Sequence, residues 1–160
     1  MQFNSSLIHW GSVTGNDAIR DLGIYLYTTE QTAVEEYWFD VNERIFSNTY
    51  SYSIASRVWG NSYDSGTFWT SDIAAAYGIE MYPIHGGSLY LGHNTTYVQK
   101  LWNEMQQNTG ILSNEVNANL WHDVYWCYAA FIDPDKAIEL YDSNPDRGLK
   151  FGISDAHTYY

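Results

Sequence analysis

The 160-residue chain carries 7 Lys plus Arg against 19 Asp plus Glu, a formal net charge of -12, with 45% hydrophobic and 18% aromatic residues. That apolar content supports a buried core and argues against intrinsic disorder, and the length fits one domain or part of one. An acidic surface without a basic stripe excludes nucleic acid and an anionic membrane surface as partners, and no apolar run approaches the roughly 20 residues that a membrane span needs.

In chain order, Met1-Gln2-Phe3-Asn4-Ser5-Ser6 has no positive segment ahead of an apolar one, so it does not read as a signal peptide. His9-Trp10-Gly11-Ser12-Val13-Thr14-Gly15 reads as the end of one helix and its turn. Gly15-Asn16-Asp17 then starts a second helix, with Ile19, Leu22, Gly23 and Leu26 recurring at helical spacing out to about Trp38. Residues 48 to 72 are rich in Ser, Thr, Tyr, Gly and Asn and hold Trp59 and Trp69. A loop of that length is uncommon in a compact domain and, when ordered, is often functional.

Asn94 or Thr95 caps the next helix, whose apolar stripe is Val98, Leu101, Trp102 and Met105, with Gly110 closing it. A further helix carries Leu120, Trp121, Val124, Tyr125 and Tyr128. The last opens at Asp133-Pro134-Asp135, an N-cap Asp with Pro at the first helical position, and stops before Asn144-Pro145. Both ends of the chain are expected to fall inside ordered structure. Helices alternating with aromatic loops, and almost no β-alternation, make this an all-α chain of packed helical pairs. The pattern itself leaves bundle, solenoid and toroid open.

The aromatic excess, 7 Trp, 15 Tyr and 6 Phe, has two readings. One is a core of large side chains. The other is a cleft that stacks the apolar faces of sugar rings. Trp102, Trp121 and Trp126 sit on apolar helix faces and are expected in the core. Trp38, Trp59 and Trp69 are the stacking candidates.

Glycoside hydrolysis needs two carboxyl groups flanking the scissile bond. The densest acidic cluster is Glu35-Glu36-Tyr37-Trp38-Phe39-Asp40. On a helix Glu36 and Asp40 share a face and could raise each other's pKa; the plainer reading is a solvated acidic helix end. His85, in Tyr82-Pro83-Ile84-His85-Gly86-Gly87, falls at a turn and suits a cleft rim. His9, His93, His122 and His157 lack metal-ligand spacing, and Asp133-Pro134-Asp135 lacks the other positions of a calcium loop. No phosphate-binding loop or nucleophile elbow appears, so no cofactor is expected. Cys127, the single cysteine, excludes an internal disulfide and is expected as a buried, inert thiol.

Several blocks carry a family resemblance. They are Trp10-Gly11-Ser12-Val13-Thr14-Gly15-Asn16, residues 20 to 30, Glu36-Tyr37-Trp38-Phe39-Asp40 and Val58-Trp59-Gly60. Gly78-Ile79 through Pro83, Ser88-Leu89-Tyr90-Leu91-Gly92, the Tyr128 to Asp133-Pro134-Asp135-Lys136-Ala137 stretch with Tyr141, and Ala156-His157-Thr158-Tyr159 complete them. In this order, over nearly the whole chain, they resemble glycoside hydrolase family 81.

The resemblance implies secreted or cell-surface enzymes that hydrolyse internal β-1,3-glucosidic bonds of laminarin-like glucans with inversion. It implies an N-terminal β-sandwich, a linking domain and a C-terminal (α/α)6 toroid, with residues 1–160 as one segment supplying the toroid's later hairpins. The family's general acid, an Asp, and its base, a Glu in a Glu-Ser-Ser-Ser-Glu stretch, align upstream of Met1. No catalytic role is therefore carried onto a residue here, and the segment alone is expected to be inactive. The residues carried over as substrate lining are Tyr37, Trp38, Asp40, Trp59, Trp69 and His85. The implied partner is β-1,3-glucan. A partial ring also leaves apolar helix faces open to self-association. The alternative is a non-catalytic glucan-binding module that uses the exposed aromatics.

Overall fold

The computed structural model describes residues 1–59, 62–110 and 121–143, and the side chains of Trp59, Ser62 and His122 lie outside that description. So do Leu120, the stop at Asn144-Pro145, and the block from Ala156 to Tyr160 that contains His157.

Helix α1, Gln2–Thr14, ends at Gly15, whose left-handed backbone (φ 67°) returns its N–H to the Gly11 carbonyl. Helix α2, Asp17–Tyr37, begins on Asn16, whose side chain accepts from the Ile19 N–H at 3.1 Å. The two helices form an antiparallel hairpin at close range. A Cβ at Gly11 would lie 2.3 Å from the Arg20 nitrogen, and one at Gly23 would lie 2.7 Å from the Ile8 nitrogen. Only a residue without a side chain permits that approach. Elsewhere the hairpin buries little, and Ser5 joins Gly11 and Gly23 as its buried residues.

The chain then crosses to a second body. Helices α3 (Ile73–Met81), α4 (Thr95–Thr109), α5 (His122–Ala129) and α6 (Pro134–Ser143) pack around one aromatic core, with a 3-10 turn at Leu89–Gly92. Helix α3 was not anticipated by the cap and stripe signals. Its run of Ala and Gly has no amphipathic stripe because nearly the whole helix is buried. The stripe expected on α4 is present: Val98, Leu101, Trp102 and Met105 are all buried, between an Asn94 N-cap and a left-handed Gly110. Trp121, Trp126 and Cys127 are buried too, as expected. Helix α6 opens on Asp133, whose carboxylate accepts from the Lys136 N–H at 3.0 Å. Ring geometry reinforces the core: Phe39 stacks on Tyr97 at 5.2 Å, and Trp126 meets Tyr141 edge-on at 6.3 Å.

The 48 to 72 stretch, read from the sequence as a long polar loop, carries local order. It holds a two-stranded antiparallel ribbon, β1 (Arg57–Trp59) with β2 (Ser62–Asp64), in register Arg57 to Asp64 and Val58 to Tyr63. Ahead of it, Ser53, Ile54 and Ala55 are buried. Glu104 of α4 pins that bend, accepting from the Ser53 N–H at 3.1 Å and from the Tyr77 hydroxyl at 2.6 Å. Apart from this small ribbon the described residues are helices and loops, so the all-α class stands. Among them, no helix is long and apolar enough to cross a membrane.

Candidate functional site

The acidic end of α2 is arranged differently from the expected helical pair. The helix stops at Tyr37, and Asp40 has a left-handed backbone (φ 43°), so Glu36 and Asp40 do not share a helix face. The reason is local and strong. Asp40 is 6% exposed, and one carboxylate oxygen accepts from the N–H groups of Arg44 (2.7 Å) and Ile45 (2.9 Å). The other accepts from the Phe46 N–H at 2.8 Å. Burial raises the pKa of this carboxyl, but those backbone donors, with help from Lys100, pull the net value below the ordinary range. An acid catalyst needs the opposite shift. Asp40 is an anion that folds the loop after α2.

Glu36 is engaged by Arg44 at 2.8 Å and by the Asn42 amide at 3.2 Å, and Glu35 pairs with His93 at 2.7 Å. Beside them Tyr37 is exposed, while Trp38 packs half-buried against the core. Trp69 is 49% exposed and meets the almost bare Phe68 edge-on, ring centroids 4.5 Å apart. A separate aromatic group joins the loop after α2 to the ribbon, with Phe46 5.0 Å from Tyr50 and 4.8 Å from Tyr63. His85 is half-buried in the turn after α3, where its Nδ1 accepts from the Gly87 N–H at 2.9 Å. That bond assigns the ring proton of the neutral imidazole to Nε2.

One concavity among the described residues lies elsewhere. A cleft of about 410 Å³ opens between the start of α1, the middle of α2 and the segment after α3. Its walls include Phe3, Glu30, Val34, Tyr82, Pro83 and Tyr90. None of the six expected lining residues is in that wall, although His85 stands in the turn between Pro83 and Ser88. The missing signal was present in another form: Glu30, Tyr82, Pro83 and Tyr90 all fall inside the blocks that carry the family resemblance.

The cleft is held by hydrogen bonds across long sequence separations. The Tyr27 hydroxyl donates to the Gly87 carbonyl at 2.9 Å and accepts from the Tyr90 N–H at 3.1 Å. Glu30 receives the Asn4 amide at 2.6 Å and the Met1 amino group. Tyr90 is pushed up to about 12, by burial first and then by the nearby Glu80, Tyr27 and Glu30. Glu80 itself is pushed up to about 8 by burial. Burial thus favours the neutral form of Glu80, whose charge would act on Tyr90, while Glu30 stands in the cleft wall with its carboxylate held by Asn4 and the Met1 amino group. The wall mixes aromatic faces, Phe3, Tyr82 and Tyr90, with polar groups, Gln2, Glu30 and Ser88, a lining that can pack on a ring and hydrogen-bond its substituents.

A solved glycoside hydrolase family 81 protein from Clostridium thermocellum, in a glutamate-to-alanine mutant form, superposes with a TM-score of 0.79. It is 40% identical, and the match covers 98% of this chain and 21% of that one. The profile of the glycosyl hydrolase family 81 C-terminal domain matches residues 1–156. The chain belongs to glycoside hydrolase family 81, within its helical C-terminal domain.

Curated relatives agree. A glucan endo-1,3-beta-D-glucosidase of Acetivibrio thermocellus is 41% identical over 155 residues, 97% of this chain and 19% of that protein. Another, of Thermobifida fusca strain YX, is 32% identical over 160 residues, 99% of this chain and 20% of that protein. The chain thus spans about a fifth of the length of the curated relatives it matches.

Proposed function

We propose that this chain supplies one wall of the substrate cleft of an endo-1,3-β-glucanase, binds β-1,3-glucan there, and does not cleave it alone. The observation that carries the reading is the aromatic cleft in a chain 41% identical, over 97% of its length, to a protein named for that activity. In this reading Phe3, Tyr82 and Tyr90 stack on glucose rings and Glu30 accepts from their hydroxyls. Tyr37, Trp38, Trp59, Trp69 and His85 extend the contact surface, and Asp40 holds the loop between them.

The carboxyls at the end of α2 are poor catalysts. Asp40 is held ionised by backbone donors, while Glu35 and Glu36 have basic partners. Hydrolysis with inversion, on a laminarin-like glucan and in an extracellular setting, is then the work of the longer family proteins. There this segment positions the chain while other residues act as acid and base.

A second reading, a glucan-binding module in its own right, is favoured by the exposed Phe68 and Trp69 pair. Titration of the purified chain with laminarin oligosaccharides, followed by Trp fluorescence and calorimetry, tests both readings. Saturable binding that weakens several-fold in Tyr90→Ala supports the cleft. Weakening confined to Trp69→Ala moves the site to the loop. Release of reducing sugar from laminarin by the chain, abolished in Glu30→Gln or Glu36→Gln, refutes the non-catalytic assignment.

A further inference from the structure

Two walls of the cleft come from different parts of the chain, and a side chain outside the cleft joins them. On α2, Glu30 and Val34 line one wall, and Tyr27 shares their helix face one turn earlier, at the spacing i, i+3, i+7. Pro83, Ser88 and Tyr90 line the other wall, on the segment that follows α3. Tyr27 is half-buried and takes no part in the lining.

The second wall is a turn closed on itself. The Ser88 hydroxyl donates to the Pro83 carbonyl at 3.2 Å and accepts from the His85 N–H at 3.1 Å, and the Ser88 N–H reaches the His85 carbonyl at 2.8 Å. Local bonds of this kind fix the shape of the turn but not its distance from α2. The Tyr27 hydroxyl spans that gap with both of its capacities. It donates to the Gly87 carbonyl at 2.9 Å and accepts from the Tyr90 N–H at 3.1 Å, so the residues it holds bracket Ser88. Gly87 is also where the turn seats against α1, since a Cβ there would lie 2.4 Å from the Ser5 hydroxyl oxygen. Burial pushes the Tyr27 pKa above its ordinary value, so the hydroxyl remains a donor at neutral pH.

We propose, on the reading of this cleft as the glucan site, that Tyr27 is its positioning residue: the hydroxyl holds the wall of Ser88 and Tyr90 at a set distance from the wall of Glu30 and Val34. A sugar ring then meets both walls at once. Tyr27 acts through the backbone of Tyr90 and touches no ligand itself.

The test is Tyr27→Phe in the full chain, which keeps the ring and removes the hydroxyl. Without ligand, exchange of the Tyr90 amide, resolved by NMR, should quicken roughly tenfold while α4 amides stay protected. On titration with laminarihexaose the Kd should rise about fivefold, and the same substitution should cost less than about twofold more in a Tyr90→Ala background. A general loss of stability would instead add in full. Unchanged exchange at Tyr90, or full additivity with Tyr90→Ala, overturns the assignment. No glucan binding by the unaltered chain, with Tyr90 exchange still governed by Tyr27, refutes the cleft reading and leaves the positioning of the wall standing. Binding weakened in Tyr90→Ala but unaltered in Tyr27→Phe does the reverse.

Discussion

Helix α4 turns Val98, Leu101, Trp102 and Met105 into the core, whereas α1 leaves Phe3, Trp10 and Val13 in solvent. In the α3 to α6 body, stability comes from interlocked rings and aliphatic chains at near-zero exposure, each worth roughly 1.5–3 kcal/mol on burial. The α1–α2 hairpin instead rests on backbone proximity at two glycines and on a few polar ties at one end, among them Tyr27 to Gly87 and Glu35 to His93. The hairpin buries far less apolar surface than the body, so it is the element expected to open first.

The sharpest way to break the comparison is Trp126→Ala. This side chain is 1% exposed and packs on Tyr141, so its loss should cost about 3–5 kcal/mol, read by urea denaturation of the whole body. If the chain loses no more than a surface substitution does, the core is not where the stability lies.

Glu80 gives a pH signature to the same body. Its pKa is raised from the ordinary 4.5 to about 8 in the fold, so between those values the folded state holds a proton that the unfolded state has released. Stability from this group is complete below pH 4.5, falls by up to about 1.4 kcal/mol per pH unit through the window, and levels off above 8. Denaturation midpoints across that range should flatten in Glu80→Gln; an unchanged slope would remove Glu80 as the source.

Gly11→Ala probes the hairpin. The new Cβ meets Arg20 backbone, which does not yield as a side-chain tip would, and the expected cost is about 1–3 kcal/mol after the gain in helix propensity. Hydrogen exchange should quicken in α1 and leave α4 protected. Equal acceleration in both helices would show that the two regions unfold as one. The smallest effect is expected at Trp10→Ser, within about 0.5 kcal/mol for the isolated chain. A larger loss would mean that Trp10 already packs on something in solution.

Much of the fold was legible before any coordinates. Asn16, Asn94, Gly110 and Asp133 mark helix ends through hydrogen bonds that reach at most four residues, and the stripe on α4 names its own buried face. Helix α3 was not legible in that way, because a helix buried nearly all round has no polar side to reveal its period. The β1–β2 ribbon, with three residues per strand, is too short to show alternation.

The candidate site shows the same division. The cleft joins Phe3, Glu30, Tyr82 and Tyr90, which stand in three separate stretches of sequence, and no spacing rule links them. Asp40 looked like a partner for Glu36 because helical spacing was extended past Tyr37; three backbone N–H groups from the following loop decided otherwise. Taken alone, the sequence determined the helix caps, the core stripes, the acidic balance and the family resemblance, since each depends on residue types and near neighbours. The tertiary structure alone decided which carboxyl is desolvated, which aromatics border a cleft and which helix face is left bare. Those properties are set by groups far apart along the chain, whose burial exists only once the helices have packed.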